Sequence, residues 1–354
     1  MRSDFKTLWK RAKMTALLKS FSHSILLLTV FFLAFFSAKA TDQADSPGEK
    51  FKASEVILHH VMDDHVWHFW DGHYGTLYLP VIIYSSAQGL DIFSSRHFYD
   101  DNHNLVPYKG YRLDHNKIYL TSTGERVFDL SITKNVAMLF INAALLVLIF
   151  SAVARSYQKS AGKAPRGLAS FFEPVILFVR DEVVKPNIGP QYKRFLPYML
   201  TLFFFILFGN LLGLLPGAAN LTGNIAVTLV LAVLTFLITN FSANREYWSH
   251  IFWTPGVPLP LRLIILPVEI VGMFTKPISL MIRLFVAITA GHIVLLSLIS
   301  LAFIFHSYWV GAGSTIMILF ISLIEILVAA IQAYVFTLFS SLYIGMAIVK
   351  HEHH

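Results

Sequence analysis

Five hydrophobic segments occupy residues 136–153, 195–215, 225–241, 263–305 and 316–349, and the first three hold no charged side chain. Runs of this length cannot close a soluble core without leaving an apolar surface, so they read as membrane spans. Across all 354 residues only 14% are charged, against roughly a quarter in an ordinary soluble domain. At ~1.5 Å per residue the last two segments would measure roughly 65 and 50 Å as helices, against a hydrocarbon core of ~30 Å. They must lie strongly tilted, bend, or run along the interface, and Pro267 and Pro277 are candidate bends.

Basic residues set the orientation. Arg155, Lys159, Lys163 and Arg166 follow the first segment, and Arg245 and Arg262 follow the third. The loop 216–224 is uncharged, and the turn expected at 306–314, near Tyr308, has no lysine or arginine. The positive-inside rule then makes the first, third and C-terminal connections cytoplasmic and puts residues 41–131 outside. The N-terminus agrees. Arg2, Lys6, Lys10, Arg11, Lys13 and Lys19 precede a short apolar run and the sequence Ala38-Lys39-Ala40, the pattern of a signal peptide cut after Ala40. An uncleaved anchor helix is the alternative. Three regions result: a signal peptide over 1–40, an extracytoplasmic domain over 41–131 and a membrane domain over 132–354. The fold class is an all-α polytopic membrane protein with five transmembrane helices, the last two long and tilted. A small mixed α/β domain stands outside, helical over about 54–70 and in short strands from 76 to 128. Leu168, Phe171, Phe172, Val175, Phe178 and Val179 form one apolar side of a further stretch. It could lie on the cytoplasmic surface, pack on a partner helix, or be a short soluble helix folded onto its loop.

A charge at bilayer depth costs about 2.5 kcal/mol or more, so each needs a reason. The fourth segment carries Glu269, Lys276, Arg283 and His292; the fifth carries Glu325 and Gln332. Arg283 has no easy route to water, because 284–305 contains no charged residue. Glu269, Lys276 and Arg283 are spaced by seven, which aligns them along one helical stripe. Lys276, near the cytoplasmic end, can snorkel. If the last two segments pair antiparallel, residues at one depth have numbers of constant sum. His292 with Glu325 and Arg283 with Gln332 satisfy this to within two residues. An acid–base pair towards the outside, a central cation beside an amide, and a carboxylate towards the cytoplasm suit two proton pathways separated by a fixed charge. Taken singly, His292 could be a neutral core histidine and Gln332 a simple interhelical hydrogen-bonder.

Other chemistry finds little support. The chain has no cysteine, which excludes disulfides and thiolate sites. The net charge of +7 forms no basic stripe with interleaved aromatics, so nucleic acid is not indicated. His59, His60, His65, His68 and His73 crowd one segment, but no H-E-x-x-H accompanies them, and no metal or cofactor is expected. Gly-rich phosphate loops and G-x-S-x-G elbows are absent. A stand-alone ion-coupled transporter and a polytopic metalloenzyme are the competing classes; the first would show inverted repeats, and none is visible.

The run from Thr275 to Phe285, T-K-P-I-S-L-M-I-R-L-F, resembles the signature of the F-type ATP synthase subunit a. Pro267-Val268-Glu269 upstream, Ile331-Gln332-Ala333-Tyr334-Val335-Phe336 in the last segment, and Gly209-Asn210-Leu211-Leu212-Gly213-Leu214-Leu215-Pro216 fit the same family, in order, over residues 132–350. The resemblance implies a non-catalytic stator subunit of a bacterial inner membrane. Its partners would be a rotating c-ring, the peripheral stalk subunit b, lipid and protons. Arg283 matches the arginine that faces the ring carboxylates, and Gln332 its neighbour. His292 and Glu325 match the outer half-channel pair, exchanged between helices as in mitochondrial members, and Glu269 matches the inner acid. Val286-Ala287 stand where the family often has Gly-Asn, so the outer polar relay needs another participant, such as water or Thr289.

Overall fold

The computed structural model describes residues 63–68, 75–85, 89–100, 104–114, 116–159, 167–215, 217–253, 258–305 and 308–348. The expected signal peptide, the helix start near 54, and His59, His60 and His73 lie outside them. All described residues except Gly75 belong to one compact unit.

Short antiparallel strands make up the N-terminal part: β1 (Val66–His68), β2 (Thr76–Tyr78), β3 (Pro80–Ser85), β4 (Gly89–Ser94), β5 (Tyr111–Asp114), β6 (Lys117–Leu120) and β7 (Phe128–Asp129). β3 is the centre of a three-stranded sheet in the order β4-β3-β7, while β1 pairs β2 and β5 pairs β6. Period-two alternation fixes which faces are buried. Val81, Ile83, Phe93, Tyr111 and Ile118 point into a closed core with Phe98, while Tyr84, Leu90, Ile92 and Phe128 are more than half exposed. The expected helix over 54–70 fails where it can be seen, because 66–68 is a strand. Val66 and Trp67 suit a pleat, and pairing with Tyr78 and Leu77 satisfies their backbone groups as an isolated helical turn could not.

The helices follow: α1 (Lys134–Lys159), α2 (Leu168–Phe178), a π-helical segment Val179–Val184, α3 (Lys185–Ile188), α4 (Tyr192–Gly213), α5 (Ile225–Phe241), α6 (Arg245–Phe252), α7 (Leu259–Phe305) and α8 (Tyr308–Ile348). Four helical stretches are long and apolar enough to cross a membrane, and a fifth arises if α5 and α6, bent by 102°, count together. Asn224 caps α5 by accepting from the Ala226 amide at 2.9 Å. Helix α7 runs unbroken for 47 residues through Pro267 and Pro277. Helix α8 begins at Tyr308, so 308–314 is helical rather than a turn. Gly311 and Gly313 weaken that start but do not prevent it, because the rest of α8 propagates the helix.

Packing decides the stretch around α2. Phe172 and Val179 are buried, whereas Leu168, Phe171 and Phe178 are exposed, so the expected single apolar face is split between core and surface. The Phe172 ring sits 5.7 Å from Phe150 on α1 and 5.8 Å from Phe204 on α4. This segment packs on partner helices and is not a separate soluble helix. The face of α8 towards its neighbours carries small residues, with Ala329, Ala333, Thr337, Ser340 and Ser341 buried. Small side chains allow close backbone approach, and hydroxyls such as Thr337 satisfy themselves on the carbonyl four residues back, at 2.8 Å. At Gly345 the approach is closest: an added Cβ would collide with the backbone carbonyl of Asn187 on α3.

Candidate functional site

Helices α7 and α8 form the antiparallel pair that the constant sum requires. His292 Nδ1 stands 3.9 Å from Glu325 Oε1, with the glutamate side chain 9% exposed and the histidine 21%. That separation is too long for a direct hydrogen bond and suits a bridging water. Neither atom has another hydrogen-bond partner, and Thr289 Oγ1, one turn before His292, is likewise buried and unpartnered. The close fit is possible because residue 291 is glycine; a Cβ there would come within 2.6 Å of Glu325 Oε1.

Beside this pair the loop between α4 and α5 packs on α4. Thr222 Oγ1 donates to Asn210 Oδ1 at 2.6 Å, and Asn210 Nδ2 donates to the Ala329 carbonyl on α8 at 3.2 Å. Both side chains are buried, so the polar string is fully paired where it crosses from α4 to α8.

Arg283 lies about two and a half turns nearer the N-terminus of α7. Its guanidinium carbon is 4.3 Å from the centroid of the Phe339 ring. Side chains on a helix lean towards their own N-terminus, so on α7 the arginine reaches α8 residues later than the equal-depth position. Among the described residues no carboxylate comes within ion-pair distance of Arg283. The ring covers one face of the guanidinium at a gain of about 0.5–2 kcal/mol and leaves its edge N–H donors free.

Towards the N-terminus of α7 a cavity of about 550 Å³ opens, lined by Glu269, Lys276, Glu246, Tyr247, His250 and Asn187 among others. Lys276 Nζ sits 5.6 Å from the Tyr343 ring centroid and 5.9 Å from that of Tyr247. The lysine expected to snorkel therefore lies against these aromatic rings in the cavity wall. A second, narrow cavity of about 10 Å³, room for one water, shares Tyr247, Met273 and Lys276 with it and is lined as far as Leu280, three residues short of Arg283.

The sequence reading named Glu269 but not Glu246, Tyr247 or His250. Glu246 and His250 stand four apart on the short helix α6, so a helical-face reading of the third loop would have found them. Of the histidine cluster, His59, His60 and His73 lie outside the described residues, among which no group of three His, Cys, Asp or Glu side chains could hold an ion. Its member His65 is 2% exposed and bonds Asp129 Oδ2 through Nε2 at 2.9 Å.

Residues 136–345 match the family model described as ATP synthase A chain, and residues 56–139 match a domain of unknown function (DUF8433). The ATP synthase subunit a 2 of Chlorobaculum tepidum is 50% identical over 234 residues, covering 64% of this chain and 66% of that one. The ATP synthase subunit a of Pelodictyon phaeoclathratiforme is 40% identical over 325 residues, 90% of this chain and 82% of that one. That of Chlorobium phaeobacteroides strain DSM 266 is 38% identical over 318 residues, 88% and 80% of the two chains. With more than half of its length inside the family model, the chain belongs to the ATP synthase A chain family, the non-catalytic membrane subunit a of the F-type ATP synthase.

Proposed function

We propose that this chain forms two proton half-routes against the rotating c-ring of a bacterial ATP synthase, kept apart by Arg283. The observation that carries the reading is a mid-helix cation with no acid partner among the described residues, placed between an acid–base pair and an acidic cavity. A half-buried charge at membrane depth that finds no acid among the described residues calls for one from another chain. A ring carboxylate supplies it.

In this reading the protein crosses the membrane five times, with α7 and α8 tilted along the ring wall. The strand domain stands outside, behind a cleaved signal peptide; the C-terminus is cytoplasmic, and the peripheral stalk subunit b is a partner. A proton from outside passes His292 and Glu325, through a bridging water or a rotamer change, to a ring carboxylate. Once neutral, that site rotates into lipid at little cost, whereas the charged form would pay about 2.5–3.5 kcal/mol. After nearly a full turn the proton leaves towards Glu269 and the inner cavity. Arg283 then meets the bare carboxylate with its free edge donors. Its charge repels protons from both sides, which closes the direct path between the two routes. Gln332 flanks the exchange point. Each charge crossing 100 mV supplies about 2.3 kcal/mol, which drives rotation.

The test is Arg283→Ala in the whole synthase. ATP-driven acidification of inverted vesicles should vanish while the detached catalytic head hydrolyses ATP at its normal rate. Acidification at the wild-type rate would refute the role.

A further inference from the structure

We propose that the strand domain is a working part of the outer proton route, and that Trp67 is the positioning residue through which it acts. The proposal rests on the reading of His292 and Glu325 as the outer pair.

Trp67 on β1 is 5% exposed, and its indole Nε1 donates to the carbonyl of Gly217 at 2.7 Å, across 150 residues of sequence. Gly217 has φ of +80°, a left-handed conformation that an L side chain would strain, so this carbonyl is turned by a backbone built for it. Trp67 and Leu79 pack with Met138, Ala219 and Leu221 in one cluster. Leu221 is fully buried, and its Cδ2 lies 3.2 Å from where a Cβ of Gly209 on α4 would be. The next residue is Thr222, whose hydroxyl holds Asn210. Asn220 closes on Gly213, with its Cα 3.4 Å from the position of a Cβ there, and the Gly213 backbone faces His292. A short sequence of contacts therefore runs from the indole to the proton-carrying pair.

The other end is anchored as firmly. Asp63, four residues before Trp67, accepts from the backbone N–H of Asn135 at 3.2 Å, and the Lys134 N–H donates to the Asp64 carbonyl at 2.9 Å. His65 is tied to Asp129 just ahead of α1. Trp67 is thus fixed to the start of one membrane helix and presses on the loop between two others. The loop 216–224 carries no charge of its own, so only packing and hydrogen bonds set its position. Among the described residues the indole N–H supplies a directional bond to this loop from the strand domain.

The experiment uses the complete synthase in proteoliposomes with the pH of each side set independently. Trp67→Phe keeps the ring packing and removes the donor; Trp67→Ala removes both. Both variants should lower the initial ATP synthesis rate, Trp67→Phe by about 2- to 10-fold, the effect of one lost hydrogen bond. Both should displace the midpoint of the outer-side pH profile and leave the inner-side profile where it is. Unchanged profiles, a displacement on the inner side alone, or failure of both variants to assemble would overturn the proposal; the last would make Trp67 a folding residue only. Arg283→Ala in the same preparation separates the two levels. If it still couples, the reading of the two routes fails; if it is dead while both Trp67 variants behave as wild type, only this inference fails.

Discussion

Replacing Gly291 by alanine should damage the outer pair while leaving the helix sound. A Cβ at 291 would stand 2.6 Å from Glu325 Oε1 and 3.3 Å from Cδ and Cγ, where ordinary contact begins at 3.4 Å. The carboxylate must retreat by about 0.8 Å, in a site where Glu325 is only 7% exposed and cannot swing out freely. Overpacking of this kind costs typically about 1–3 kcal/mol. In a helix interior alanine also gains roughly 0.5–1 kcal/mol over glycine, which leaves a net cost of about 0–2.5 kcal/mol. The loss falls on the geometry between His292 and Glu325. If about 1–2 kcal/mol of it appears in the rate-limiting proton transfer, ATP-driven pumping falls roughly 5- to 30-fold. The assay is the initial rate of acidification in inverted vesicles, normalised to the assembled synthase. Gly313→Ala is the control, since nothing lies within 4 Å of its Cβ position and it should pump normally. Wild-type pumping by Gly291→Ala, with normal assembly, would show that the spacing of the pair does not govern proton transfer.

Gly345→Ala should prevent assembly rather than slow transport. Its Cβ meets backbone of α3, which cannot rotate away as a side chain can, so subunit a should be depleted from membranes by immunoblot; normal levels with normal pumping would contradict the packing of α8 on α3. The strand domain should loosen in acid. Burial works against the Asp129 charge, but hydrogen bonds from His65 and Ser131 outweigh it and hold the carboxyl below its usual range. A depressed folded value means this contribution is complete above the unfolded pKa near 3.9 and is lost as pH falls through the folded value. Amide exchange in β3 and β7 of the purified synthase should therefore accelerate below about pH 4, and Asp129→Asn should remove that step; identical acid profiles would sink the assignment.

Much of the site was legible because membranes make polar residues costly. Glu269, Arg283, His292, Glu325 and Gln332 stand out against apolar surroundings, and the equal rise of two antiparallel helices sufficed to pair His292 with Glu325. The same rule says less of Arg283, because it places Cα atoms and ignores the reach and lean of a long side chain; the guanidinium lies against Phe339, about two turns of α8 beyond Gln332. The inner cavity was half visible. Glu269 was marked by its depth, but Glu246 and His250 sit in a connection of ordinary polarity and gain meaning only when α6 folds against α7.

The sequence by itself determined that this chain spans a membrane and which of its buried polar residues share a depth. Both follow from quantities that add along the chain, hydropathy and helical rise. Tertiary structure alone decided that Trp67 belongs to a strand, that its indole meets Gly217, and that Gly291 and Gly345 sit at points of closest approach. Such facts depend on which distant segments come together, and no local preference of Val66, Trp67 or a glycine specifies its partner. The chain's chemistry was written in its composition; the precision of its contacts arose only on packing.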